Sequence, residues 1–207
     1  MTGESRIPRG PAAQPEHDTR AHPLSPIADK DGLRKTLLQR RRGLDPLMQA
    51  QWDERISATV LDWCAANATH TLGVYWPLPG EAALNATYAA LVERGVQLVL
   101  PVVVARDAAL GFAAWTPGQA MVKDKMGVAV PAALQLAATP PVLLVPCLGF
   151  NADKFRLGYG GGYYDRTLAA APRPVTLGVA YACLEASFAR APHDVALDWI
   201  VTEAGVR

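Results

Sequence analysis

The chain has 207 residues, half of them hydrophobic, which is enough to bury the core of one domain, and its formal net charge is only +1. That balance gives no bulk electrostatic case for a nucleic-acid or membrane partner, and no apolar run reaches the roughly 18 residues of a membrane-spanning helix. Cys64, Cys147 and Cys183 are far apart, odd in number and form no CxxC pair, so they read as small core residues of a reduced, cytoplasmic protein.

In chain order, residues 1–28 hold Pro8, Pro11, Pro15, Pro23 and Pro26 with few large apolar residues, and predict a disordered tail ahead of one domain over 29–207. The tail lacks the apolar stretch of a secretory signal, and its acids argue against a transit signal; His17 and His22 within it read as solvated. Asp29 caps a predicted helix with Leu33, Leu37 and Leu38 as its stripe, and Lys30 and Arg34, four apart, project from one face. The run Arg40-Arg41-Arg42 reads as a solvated or phosphate-facing helix end, because no aromatic residues are interleaved with it as nucleic-acid binding would need.

Asp45-Pro46 starts a second helix, whose core face is predicted on Met48, Trp52, Ile56, Val60 and Trp63. A strand over Thr71–Trp76 leads into the turn Pro77-Leu78-Pro79-Gly80-Glu81, then a helix carries Leu84, Tyr88, Leu91 and Val92 to Gly95. Gln97–Val104 is apolar enough for burial on both faces of a parallel sheet, with Leu110–Trp115 as its hairpin partner. Residues 116–140 read as irregular, with Lys123-Asp124-Lys125 exposed. A buried strand over Val142–Pro146 precedes the glycine-rich stretch, and a short helix over Thr167–Ala171 follows it. Val175–Tyr181 is a strand, Leu184–Arg190 a brief helix, Pro192–Asp198 a loop, and Trp199–Thr202 the last strand. Strands alternating with helices predict an α/β domain with a largely parallel, doubly covered sheet whose ligand lies at the carboxyl ends of the strands.

The stretch Arg156-Leu157-Gly158-Tyr159-Gly160-Gly161-Gly162-Tyr163-Tyr164-Asp165-Arg166 is the densest chemical signal. Its glycines let backbone N–H groups approach an anion, and Arg156 and Arg166 bracket it with guanidinium groups suited to phosphate. The competing reading, a plain glycine-rich connection, is weakened by how many glycines there are. A Walker lysine is missing after the glycines, so the compact positive charge must come from elsewhere, and Lys30 with Arg34 is the best source. Asp165 and Asp194 are the best candidates for Mg²⁺, which takes a few carboxylates plus phosphate oxygens; Asp194 equally suits a turn, and Asp198 reads as packing beside the last strand. Trp76, Glu81 and Trp115 could wall a second pocket for a flat heteroaromatic ligand with N–H donors, although each tryptophan taken singly is more often core. His70 and His193 have no partner at diagnostic spacing.

On these residues the chain from about 30 to 203 resembles the 5-formyltetrahydrofolate cyclo-ligase (methenyltetrahydrofolate synthetase) family. The resemblance is carried by Lys30-Asp31-Gly32-Leu33-Arg34, Tyr75–Glu81, Val145–Phe150, Arg156–Arg166, Pro192-His193-Asp194 and Val201-Thr202-Glu203. It implies a single three-layer α/β/α domain with a mostly parallel (mixed), Rossmann-like sheet, and an ATP- and Mg²⁺-dependent ring closure of 5-formyltetrahydrofolate. The family's ATP-contacting positions fall on Lys30, Arg34, Arg156, Leu157, Gly158, Tyr159, Gly160, Gly161, Gly162, Tyr163 and Tyr164, and its metal positions on Asp165 and Asp194. Folate contacts fall on Trp76 and Glu81, with Tyr163 and Tyr164 shared between ligands, and Lys30, Arg156 and Tyr163 are the expected catalytic residues; which of the two tyrosines steadies the formyl group is left open. The implied partners are ATP and a reduced formylfolate, with no nucleic acid or membrane, and the expected state is a monomer or weak homodimer. The chain departs from the family's pattern at Ala83 and Val130, where acids are common. A non-catalytic nucleotide or folate sensor and a small-molecule kinase are the alternative readings.

Overall fold

The computed structural model describes residues 29–207; the expected tail, with its two histidines, lies outside the described residues. Helix α1 (Lys30–Arg42) begins where Asp29 accepts from the N–H groups of Asp31 and Gly32, satisfying two of the first-turn donors. Asp45 does the same for α2 (Pro46–Ala66), with proline at the first position, where no N–H is needed.

The strands are β1 (Thr71–Gly73), β2 (Gln97–Val102), β3 (Gly111–Trp115), β4 (Met121–Lys123), β5 (Ala129–Pro131), β6 (Leu136–Ala137), β7 (Val142–Pro146), β8 (Gly149–Phe150), β9 (Arg156–Leu157), β10 (Val175–Val179), β11 (Trp199–Thr202) and β12 (Gly205–Val206). Helices α3 (Asn85–Glu93) and α4 (Tyr163–Leu168) complete the set. The main sheet runs β12-β11-β10-β7-β1-β2-β3-β6, parallel from β11 to β2 and antiparallel at both ends. Its five parallel strands, numbered by sequence, stand in the order 2-1-3-4-5, so the strand order reverses between β1 and β7. A crevice opens outside the carboxyl ends at such a reversal.

Alternation along the strands feeds two cores. Leu98, Leu100, Leu144, Leu177 and Val201 join one cluster with Leu37 of α1, Ile56 and Val60 of α2 and Tyr88 of α3, while Val99, Leu143, Val145 and Ile200 join the other with Leu168 of α4. Both faces are therefore covered, as the mixed α/β expectation requires. Gly149 lets α1 close on β8: a Cβ there would sit 2.4 Å from Leu37 Cδ1 and 3.0 Å from the Leu184 carbonyl.

Several local expectations are corrected. The first strand stops at Gly73; Val74 still donates to the Val99 carbonyl of β2, and Tyr75–Trp76 then leave the ladder toward the turn. Met48 is exposed, because the first turns of α2 run along an open cleft; Ile56, Val60 and Cys64 are the buried stripe of α2, with Trp52 and Trp63 packed against the core beside it. Residues 116–140 contain the β4–β5 hairpin and edge strand β6. Only Ala182–Leu184 coils, as a 3₁₀ turn; the rest of the expected 184–190 helix is extended because Ala186 donates to the Phe150 carbonyl beside β8. The chain does not end its sheet at β11, since β12 folds back on it. A small hairpin, β8–β9, intervenes between β7 and the glycine stretch, and α4 begins at Tyr163, four residues before the expected Thr167. No described helix is long and apolar enough to cross a membrane.

Candidate active site

The hairpin β8–β9 delivers Arg156 at its end, and the chain then runs through Gly158–Gly162 into α4. Gly160 and Gly162 take φ of 96° and 64°, in the left-handed region open to glycine, and Gly162 caps the helix. Tyr163, Tyr164 and Asp165 thus stand in the first turn of α4. The guanidinium of Arg156, 9 % exposed, donates to Asp165 Oδ2 at 2.7 Å and lies 5.0 Å from the Tyr164 ring centre. Arg166 lies against the Tyr163 ring and donates to the carbonyls of Ala108 and Gly161. It therefore staples the loop to the Ala108 segment.

Helix α1 supplies the opposite wall. Arg34 Nε donates to the Gly158 carbonyl at 2.9 Å, and Lys30 Nζ is hydrogen-bonded and ion-paired to Asp194. Three stretches distant in sequence, the start of α1, the glycine loop and the loop before β11, meet here. Burial pushes Asp194 up, but the Lys30 hydrogen bond, the Ala191 N–H and the charges of Lys30 and His193 outweigh it, so its carboxyl sits below the ordinary value. Asp165 and Asp194 each engage a cation through Oδ2, and Oδ1 of each accepts no hydrogen bond among the described residues. Among those residues no three potential ligands cluster for a metal. This donor set fits a cation that arrives with phosphate oxygens, since Mg²⁺ needs only one or two protein carboxylates.

A second centre adjoins the first. Glu81 is buried; its Oε2 accepts from the Leu78 N–H at 2.9 Å and its Oε1 from the Tyr159 hydroxyl, with Arg41 Nη1 at 3.6 Å. Arg41 also donates to the Tyr159 hydroxyl at 2.8 Å and to the Pro79 carbonyl. Burial raises Glu81 above the ordinary carboxylate value against the pull of Tyr159, Leu78 and Arg41. Tyr159 belongs to the glycine loop, so one hydroxyl ties the loop to the Glu81 turn.

Beside Glu81 lies a cleft of about 690 Å³ lined by Trp76, Glu81, Ala83, Gln49, Asp53 and Lys123, among others. Trp76 forms part of its wall. Trp115 does not line it: it is buried edge-on behind Trp76 and against Tyr88, at centroid distances of 6.0 and 5.9 Å. Its role is to back the wall.

Two residues escaped the sequence reading. Arg41 is buried, not solvated, because it continues the Leu33–Leu37 stripe at i, i+4, i+8; of its neighbours, Arg40 binds the Cys183 carbonyl and Arg42 is exposed. That spacing was the available signal. Asp53 falls on the α2 face of Ile56 and Val60 at i−3 and i−7, and its Oδ1 accepts from the Tyr181 hydroxyl at 2.6 Å. Cys147, though close to these groups, is buried and its thiol is pushed up to about 12, which removes it as a nucleophile at neutral pH. Asp198 packs beside β11 as expected, accepting from Thr176 and Arg173.

A family model described as the 5-formyltetrahydrofolate cyclo-ligase family matches residues 26–203. The chain belongs to that family. Curated relatives named 5-formyltetrahydrofolate cyclo-ligase include that of Mycoplasma pneumoniae, 28% identical over 84% of this chain and 99% of the relative. That of Mycolicibacterium smegmatis is 32% identical over 84% and 93%. Two solved structures of 5,10-methenyltetrahydrofolate synthetases share the fold. The Mycoplasma pneumoniae protein has a TM-score of 0.68 at 27% identity, covering 84% of this chain and 99% of that one. The Aquifex aeolicus protein has a TM-score of 0.75 at 25% identity, covering 86% and 91%. The resemblance read from the motifs is thereby borne out, as is the single α/β fold.

Proposed function

We propose that this cyclo-ligase family member closes 5-formyltetrahydrofolate to 5,10-methenyltetrahydrofolate with ATP, releasing ADP and phosphate. The observation that carries the reading is the Tyr159 hydroxyl, bonded to both Glu81 and Arg41, which makes the glycine loop and the folate-sized cleft one site.

A formamide carbon is a weak electrophile and its oxygen a poor leaving group. Transfer of the γ-phosphoryl group to the formyl oxygen breaks the bond to ADP and turns that oxygen into phosphate. N10 then attacks the formyl carbon, phosphate departs with the oxygen, and N10 loses its proton to leave the methenyl bridge. No covalent enzyme intermediate is needed; the work is positioning and neutralisation of phosphoryl charge. Arg34 meets the glycine loop with a forked positive charge, Lys30 one turn earlier on α1 adds a compact one beside Asp194, and the amides of Gly158–Gly162 add donors at the transferring group. Arg156 holds Asp165, and Tyr163 stands at the start of α4 beside the loop. Held by Asp165 and Asp194, Mg²⁺ would offset further phosphate charge. Glu81 and Trp76 bind and stack the pterin ring, while a second cleft of about 790 Å³ lined by Asn151, Phe155, Phe188 and Arg190 gives room for the nucleoside beside Lys30, whose ammonium lies 5.8 Å from the Phe188 ring centre.

The test mixes the protein with ATP, Mg²⁺ and 5-formyltetrahydrofolate and follows the near-ultraviolet absorbance of the methenyl product. ATP binding without product would reduce the protein to a sensor, and ADP formation with no methenyl band would point to a kinase.

A further inference from the structure

The cleft holds a second carboxylate that the family's motifs do not account for. Asp53 comes from α2, on the wall facing the Pro77–Glu81 turn, and is only partly buried. Its carboxylate meets the Tyr181 hydroxyl and, beside it, the Ala83 main-chain amide; burial nevertheless raises it above the ordinary value. Tyr181 is in turn fixed, being 1 % exposed and packed on Trp52 with ring centres 5.4 Å apart. Asp53 is therefore pinned by a rigid neighbour while its rim stays open to the cleft.

Acceptor capacity decides which carboxylate reads a ligand. A carboxylate offers about four lone-pair sites. Glu81 already faces three donors, from Leu78, Tyr159 and Arg41, and keeps about one acceptor position for a ligand. Asp53 faces two. A flat ring lying against Trp76 brings an edge of N–H donors, and a partly desolvated acceptor beside that edge is worth more than one in water. At the mouth Lys123 supplies a cation for an anionic tail.

We propose that Asp53 is a specificity-determining residue of this cleft, accepting N–H donors from the amino-substituted ring edge of the folate alongside Glu81. It does so from α2, next to Ala83, a position in the same cleft that carries no acid in this chain. The inference rests on the cyclo-ligase reading, so wild-type turnover is measured first; a wild type that makes no methenyl product overturns that reading and leaves Asp53 to be judged by folate binding alone.

In Asp53→Asn the carbonyl oxygen still accepts from Tyr181 while an NH₂ replaces the acceptor toward the ligand. The expected result is a KM for 5-formyltetrahydrofolate raised about ten-fold or more, with KM for ATP and kcat within about two-fold of wild type and the melting temperature retained. Adding Ala83→Asp, which returns a carboxylate from the position neighbouring Asp53 in the same cleft, should recover most of that loss. A role confined to anchoring Tyr181 would lower stability and kcat together and would not be rescued from position 83. An unchanged folate KM, or no recovery in the double variant, overturns the proposal. Should Asp53→Asn fail to fold, the wild-type complex decides: a nitrogen of the bound folate ring within about 3.2 Å of the Asp53 carboxylate supports the proposal, and a ring bound elsewhere overturns it.

Discussion

Replacing Arg41 by Met would expose how the site is held together. The side chains of Arg41 and Glu81 are 4% and 5% exposed, so the methionine keeps the packing but leaves a buried carboxylate without its cation. Breaking such a pair costs about 3–5 kcal/mol while the remaining charge persists, and the Pro79 carbonyl loses a donor at the same time. Glu81 has an escape, because burial already lifts its pKa and it can take up a proton at about 1.4 kcal/mol per pH unit. The sign follows from a folded state that binds more protons than the unfolded one. Stability of the variant is highest near or below the ordinary glutamate value of 4.5 and falls as pH rises through the raised folded value. Urea unfolding at pH 5 and pH 8 should therefore show a loss near 3–5 kcal/mol at the higher pH, smaller by about 1 kcal/mol or more at the lower. Adding Glu81→Gln should return part of the stability at pH 8. A cost below about 1 kcal/mol at pH 8, or one that does not change with pH, would refute the claim that Arg41 compensates a buried anion.

Lys30→Ala and Asp165→Ala should each lower turnover more than about ten-fold, equivalent to about 1.4 kcal/mol of transition-state stabilisation, with circular dichroism unchanged; near-normal kinetics in both would move the phosphate site elsewhere. Gly149→Ala forces a methyl into Leu37 and the Leu184 carbonyl and should cost about 1–3 kcal/mol in urea, whereas a neutral result would mean that α1 is free to shift away from β8. Asp194 lies below its ordinary value of 3.8, so its stabilisation is present above that pH and is lost as pH falls through the folded value. Asp194→Asn should accordingly lower stability at neutral pH and flatten the acid limb below pH 3.8; an unchanged limb would mean that the Lys30 pair contributes nothing in solution.

Local chemistry along the chain was sufficient for much of this molecule. Asp29 and Asp45-Pro46 start their helices from capping alone, and the apolar runs of β2 and β7 declare burial on two faces. The left-handed backbone at Gly160 and Gly162 answers to glycine wherever the loop lies, so the stretch 156–166 was recognisable as a candidate site, and the motifs around it identified the family. Tertiary structure decided what those groups do to one another. Arg166 bears the same charge as Arg156 and sits in the same stretch, yet one staples carbonyls and the other holds Asp165, because direction depends on where α4 starts. The segment after Leu184 is extended because it found a pairing edge on β8, which no propensity records. Arg41, Glu81 and Tyr159, and likewise Asp53 and Tyr181, are 40 to 128 residues apart or bridge such gaps. Their pairing rests on burial in a shared low-dielectric space, and only the packed fold creates that space.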